Sequence, residues 1–97
     1  MKVSIIMSAY NAADTIEKAI TSVLNQTHKD IELIIVEDCS SDKTLEIIST
    51  FKDNRVKVIK HKENLGAGWS RYDGIKASTG GYTTFLDSDD WLDKDCI

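Results

Sequence analysis

Ile31-Glu32-Leu33-Ile34-Ile35-Val36-Glu37-Asp38 decides the fold: residues 31–36 are apolar apart from Glu32 and run straight into two carboxylates. A strand open to water on one face alternates polar and apolar side chains. One covered on both faces reads as an unbroken apolar run, as in parallel sheets held between helices. Val3-Ser4-Ile5-Ile6-Met7 has the same character and is read as a mostly buried strand, with residues 8–11 as the loop that follows.

Outward from these strands the pattern alternates. From Asp14 onward Ile16, Ala19, Ile20, Val23 and Leu24 fall at helical spacing, with Glu17, Lys18, Thr21 and Asn25 on the other side, so this helix lies on the sheet. After Asp38 a polar turn offers Ser40, Ser41 or Asp42 as the cap of a second helix, whose Leu45, Ile48 and Phe51 point inward until Asp53-Asn54 ends it. Residues 56–59 form a third strand, 64–68 a flexible loop and 69–77 a third helix. Ser78-Thr79-Gly80-Gly81 stops that helix with glycine at its C-cap, and residues 82–86 form the fourth strand. Strands alternating with helices predict an α/β fold, a Rossmann-like α/β/α layer with a mainly parallel sheet.

The chain has 97 residues, a formal charge of −4 and a pI near 5.0, which bounds it to one domain or part of one. Lys and Arg are scattered among acids, so no nucleic-acid partner is expected. The small cluster Lys57, Lys60, His61, Lys62 reads as a solvated strand edge. His28 and His61 are the only histidines, and both are read as solvated. Met1-Lys2 leads directly into a strand without a signal-peptide pattern, and no window reaches transmembrane length. Cys39 and Cys96 lack metal-site spacing and read as reduced thiols without assigned chemistry.

Chemistry concentrates at Tyr82-Thr83-Thr84-Phe85-Leu86-Asp87-Ser88-Asp89-Asp90, where an apolar strand ends in three carboxylates within four residues. Asp87 and Asp89 can leave the sheet on one side as oxygen ligands for Mg or Mn, with Ser88 pointing the other way; a diphosphate would complete the shell. Two unit charges ~4 Å apart interact by roughly 4 kcal/mol at an effective dielectric of about 20, so a diphosphate beside these acids needs a cation. The competing local reading is a helix cap, with Asp89 starting a helix at Trp91. Open parallel sheets bind ligands beyond the carboxyl ends of their strands, and those ends carry residues 8–11, 37–41 and 87–90.

Val3-Ser4-Ile5-Ile6-Met7-Ser8-Ala9-Tyr10-Asn11, Ile34-Ile35-Val36-Glu37-Asp38-Cys39-Ser40-Ser41-Asp42 and Glu63-Asn64-Leu65-Gly66 come in order, followed by Arg71, Gly74-Ile75, Ala77, Gly80 and Phe85-Leu86-Asp87-Ser88-Asp89-Asp90. As an ordered set these motifs resemble the nucleotide-binding half of inverting glycosyltransferases of family 2, which have the GT-A fold. The resemblance implies that Ala9 and Tyr10 line the base pocket, Tyr10 packing on uracil, and that Asp38 accepts a hydrogen bond from the base. It implies that Asp89 ligates the metal, that Asp87 contacts the ribose or the metal and its water, and that Arg71 lies near the sugar nucleotide. Gly66 would let the backbone pass close to the ligand, and Asn11 and Ser88 belong to the same nucleotide-contacting motifs. Ser8, Ala9, Glu37, Cys39 and Tyr72-Asp73 depart from residues common in the family; at Cys39, where glycine is common, a side chain resists positive φ.

The implied activity is inverting transfer of a sugar from a nucleotide-diphosphate donor, a UDP-sugar, to the hydroxyl of a saccharide or lipid-linked acceptor. Mg or Mn would act on the leaving diphosphate and a general base on the acceptor. No residue here is a convincing base, and in the family that base and the acceptor pocket follow the Asp-x-Asp motif. Residues 1–97 are therefore read as the donor-binding part, with the acceptor part beyond Ile97, and as binding donor without transferring sugar. The expected setting is cytoplasmic, at the inner face of the membrane. Trp91, Leu92 and the apolar strand edge are expected to lie exposed and to invite self-association. The alternatives are a non-catalytic nucleotide-sugar-binding or scaffolding module and a phosphoacceptor receiver domain. The receiver lacks the late acidic cluster and needs an aspartate where Ile59-Lys60-His61 stands.

Overall fold

The computed structural model describes residues 1–93. Four strands, β1 (Val3–Ala9), β2 (Ile31–Glu37), β3 (Val56–Lys60) and β4 (Tyr82–Phe85), alternate with three helices, α1 (Ile16–Leu24), α2 (Thr44–Ile48) and α3 (Ala67–Ala77). The sheet is parallel throughout and ordered β3-β2-β1-β4, with Val3 opposite Ile31 and Tyr82, and Leu33 opposite Val56. This is the α/β/α arrangement expected from the unbroken apolar runs. Every residue of β2 is buried.

Alternation assigns the two faces. Val3, Ile5 and Met7 of β1 join Leu33 and Ile35 of β2, Ile16, Ile20 and Val23 of α1 and Ile48 of α2 in one core. Across the sheet α3 lies so close that a Cβ on Gly74 would overlap Ile6 Cγ2. Ile6, Ile34 and Val36 are buried on this second face, where polar links run beside them.

One such link is Glu32, which the sequence shows only as an interruption. It is buried in β2 and accepts hydrogen bonds from Ser4 Oγ (2.6 Å), Lys57 Nζ (2.8 Å), Thr79 N (2.6 Å) and Thr79 Oγ1 (2.9 Å). Burial pushes its pKa up, but these donors outweigh it and hold it at about 2.

Several expected boundaries move. β1 continues through Ser8 and Ala9 because both pair with β2, and Asp38 N extends the ladder to Ala9 O (2.9 Å). α3 starts at Ala67 rather than 69, after Gly66 at φ 95°. It ends at Ser78 in an extended conformation, not at a glycine cap. Gly80 has a different reason: a Cβ there would sit 2.6 Å from Ser4 Oγ and 2.8 Å from the Lys2 carbonyl, so only glycine lets the chain pass β1. Leu92, expected exposed, packs against the core beneath Leu86, and Leu92 N donates to Ser22 Oγ (3.0 Å). Trp91 is exposed as expected and lies under Lys18 Nζ, 3.6 Å from the ring centre. The edge strand β4 leaves Tyr82 and Phe85 exposed. Cys96 lies outside the described residues, whereas Cys39 is a free, exposed thiol.

Candidate functional site

Beyond the carboxyl ends of β1 and β4 opens a polar cleft of about 500 Å³. Ser8, Tyr10 and Asn11 form one wall, Asp14 and Thr15 the start of α1, Ala67 and Arg71 the first turns of α3, and Asp87, Ser88 and Asp89 the turn after β4. Six of the expected site residues, Tyr10, Asn11, Arg71, Asp87, Ser88 and Asp89, thus share one cavity. Tyr10 is 50% exposed and presents its ring to solvent. An apolar cavity of about 450 Å³ lies under β4, lined by Val3, Tyr82, Thr84 and Leu92 among others; it contains no Asp, Glu, Lys or Arg.

Loops on both sides hold the cleft open. Asn11 adopts a left-handed conformation, φ 49°, which asparagine tolerates, and its Oδ1 accepts from Ser41 N (2.8 Å). Asn11 N donates to Ser40 Oγ (2.9 Å), Ala12 N to Thr44 Oγ1 (2.8 Å) and Ala13 N to Asp42 Oδ2 (3.2 Å), so residues 40–44 brace the loop after β1. None of the three residues expected to cap α2 sits at its N-cap, which is Lys43; Asp42, one residue earlier, accepts the Thr44 N–H (3.0 Å). Cys39 has φ 60°, the positive φ a side chain resists. The turn after β4 is fixed by Leu86 N to Ile6 O (3.0 Å), Asp90 N to Asp87 O (3.0 Å) and Thr15 Oγ1 to Ser88 O (2.9 Å).

Charge in the cleft is exposed and of both signs. Asp87 is 70% exposed, with Arg71 Nη2 3.7 Å from its Oδ1. Among the described residues no three His, Cys, Asp or Glu side chains gather to hold a metal alone. The donors that Asp87 and Asp89 bring to the cleft are hard oxygens, a set that fits Mg or Mn when water and phosphate oxygens fill the remaining positions.

The remaining expected residues lie behind the cleft. Ala9 is fully buried in β1. Asp38 is buried, and its Oδ1 accepts from Leu65 N (2.8 Å) while its Oδ2 accepts from Gly66 N (2.8 Å), so it anchors the loop that begins α3. Gly66 is there for its φ of 95°, since a Cβ on it would touch nothing.

The reading of His61 as solvated is corrected. Its side chain is 7% exposed, with Nδ1 2.7 Å from Asp38 Oδ1 and Nε2 2.7 Å from Asp73 Oδ2. The Asp38 carboxylate, followed by Asp73, holds the imidazole pKa above its ordinary value against the opposing effect of burial. Asp38 in turn is raised by burial but lowered overall by the Leu65, His61 and Gly66 donors. Nothing in the linear sequence brings residue 61 to residues 38 and 73; the parallel pairing of Glu37 with Lys60 brings it to Asp38, and the packing of α3 on the sheet brings it to Asp73. His28, by contrast, is half-buried and contacts the Met1 carbonyl at 2.8 Å.

The sequence model of Glycosyl transferase family 2 matches residues 4–97. The chain is 47% identical over 89 residues to the UDP-Glc:alpha-D-GlcNAc-diphosphoundecaprenol beta-1,3-glucosyltransferase WfaP of Escherichia coli, a match covering 92% of this chain and 36% of WfaP. It is 44% identical over 95 residues to the putative teichuronic acid biosynthesis glycosyltransferase TuaG of Bacillus subtilis, covering 96% of this chain and 38% of TuaG. The structure superposes on S. aureus TarS 1-349 in complex with UDP-GlcNAc with a TM-score of 0.89 at 33% identity, over 97% of this chain and 28% of that one. The chain therefore spans a little over a third of the length of WfaP and of TuaG.

Proposed function

The chain belongs to glycosyl transferase family 2, a glycosyltransferase family with the GT-A fold, and on that premise we propose that the cleft between Tyr10 and Asp89 binds a UDP-sugar together with Mg or Mn. The observation that carries this reading is the meeting of Tyr10, Arg71, Asp87 and Asp89 in one polar cavity at the carboxyl ends of the strands. UDP-sugar use by WfaP and the UDP-GlcNAc complex of TarS support the choice of nucleotide.

In the proposed complex Tyr10, beside Ala9, packs on the base, and Asp38 supports the base side through the loop it anchors. Asp89 holds the cation with Asp87, and the cation supplies charge neutralisation to the leaving diphosphate. Arg71 exchanges its weak partner Asp87 for diphosphate oxygens, where a guanidinium fork is most effective. Ser88 and Asn11 keep the rim in shape, Ser88 through its carbonyl bond to Thr15.

Transfer would proceed with inversion onto an acceptor hydroxyl, in a saccharide or a lipid-linked glycan, of a hexosyl or related group. The acceptor pocket and the general base are assigned to the additional length that the relatives possess, so residues 1–97 would bind donor and transfer no sugar. The proposed setting is cytoplasmic, beside the inner face of the membrane; no described helix is long and apolar enough to cross one.

Calorimetric titration of UDP with and without Mn tests the reading. Metal-dependent binding that is lost in Asp89→Asn supports it, and equal binding by the two proteins overturns the assignment of Asp89.

A further inference from the structure

His61 and its two carboxylates stand outside the cleft, yet they tie α3, which lines it, to the end of β2. Asp38, at the end of β2, holds the Leu65 and Gly66 amides that start α3. Asp73 lies two residues beyond Arg71 on the same helix and reaches His61 Nε2. His61 N is itself tied to the Glu37 carbonyl at 2.9 Å, so the ring projects from a fixed point on the sheet.

We propose that His61 is a positioning residue for the nucleotide cleft: as an imidazolium it donates from Nδ1 to Asp38 and from Nε2 to Asp73, and this bridge sets where α3 presents Ala67 and Arg71. The inference rests on the nucleotide reading of the cleft for its functional consequence but not for its structural one. A carboxylate only accepts, so two carboxylates at 2.7 Å can both be satisfied only when both ring nitrogens carry protons. Loss of either proton turns one contact from a charge-assisted bond into a repulsion between lone pairs, and α3 loses one of its anchors. The buried positions of α3 are the small residues Ser70 and Gly74, so no large side chain keys the helix into the sheet and its polar links, this bridge among them, help fix where it lies.

The charged groups around the ring are few. Asp38 and Glu37 come from the end of β2, the latter with its carboxylate engaged by Ser40 N at 2.6 Å. Asp73 comes from α3, and Lys60 and Lys62 flank His61 on its own segment, where the Cys39 thiol donates to the Lys62 carbonyl at 3.5 Å. Two facing carboxylates favour the charged ring, in keeping with its raised pKa. The bridge is therefore present below the ordinary histidine pKa and is lost as pH rises through the higher folded value.

The test is a pH titration of the chain by nitrogen-15 NMR, following both His61 ring nitrogens and the Ala67 and Arg71 amides, in the wild type and in Asp73→Asn. Asparagine leaves an acceptor for Nε2 and removes the charge. The expected result is one shared midpoint for ring and amides above the ordinary histidine value, moving down together in Asp73→Asn. Amides insensitive to the ring, or midpoints that part company in the variant, overturn the proposal. In parallel, UDP affinity in the presence of Mn is expected to weaken by about fivefold in wild type relative to Asp73→Asn as pH rises through the wild-type ring midpoint, beyond any change due to the ligand's own phosphates. An equal pH dependence in the two proteins contradicts the functional half. Absence of any UDP binding would refute the nucleotide reading alone, since the resonance titration still decides the bridge.

Discussion

Arg71 Nη2 stands 3.7 Å from Asp87 Oδ1 and so joins α3 to the turn after β4 across the mouth of the cleft. Both side chains are about half exposed or more, and such pairs contribute about 0–1 kcal/mol to stability. The pair matters for what it can release. Arg71→Ala is expected to leave the unfolding free energy within about 0.5 kcal/mol of wild type while weakening UDP binding about tenfold or more. Denaturant unfolding and calorimetry on the same samples separate the two; a matched loss in both would make Arg71 structural.

Glu32 has the opposite balance, because it is buried and takes donors from β1, β3 and the segment after α3. Glu32→Ala strands those donors and is expected to cost about 3–5 kcal/mol, with Glu32→Gln costing about 1–3 kcal/mol. Its pKa is lowered to about 2, so its contribution is complete above the ordinary carboxylate range and is lost as pH falls toward that value. Acid unfolding followed by circular dichroism should show a shallower pH dependence in Glu32→Gln; an unchanged slope would contradict the assignment.

At Gly74 α3 lies against Ile6 of β1 with no room for a Cβ. An added methyl must displace Ile6 or lift the helix, at a cost of about 1–3 kcal/mol despite the better helix propensity of alanine. Gly74→Ala should therefore lower the unfolding midpoint in urea. A more stable Gly74→Ala protein would mean that the helix has room to spare.

Tyr82 and Phe85 lie exposed on the edge strand β4, beside the apolar cavity lined by Val3, Thr84 and Leu92. Unpaired strand edges with exposed aromatics promote association. The 97-residue chain is expected to self-associate as concentration rises, and Phe85→Lys to suppress it. Sedimentation equilibrium that returns a monomer at all concentrations for wild type would contradict this.

The architecture was legible because β1 and β2 are apolar on both faces, a pattern that only a covered parallel sheet explains. Acidic strand ends announced which rim to inspect, and Tyr10, Arg71, Asp87 and Asp89 do meet there. Local signals failed where long-range pairing took over. Glu32 looked like an interruption, but register places Ser4 opposite it and makes it a hub. His61 looked solvated because its neighbours in sequence are Lys60 and Lys62, while its partners come from 23 residues before and 12 residues after it. Glycines mislead in the same way: the sequence reads Gly80 as a helix cap, whereas it lets the segment between α3 and β4 pass close beside β1.

The central claim is that nucleotide and cation share the polar cleft, and paramagnetic relaxation by Mn measures this most directly. With UDP present, trace Mn should broaden the amide signals of Ala67, Arg71, Ser88 and Asp89 first, leave Thr84 and Val56 sharp, and lose this selectivity in Asp89→Asn. Broadening centred on the apolar cavity under β4, or spread evenly over the acidic surface and unchanged in Asp89→Asn, would contradict the account.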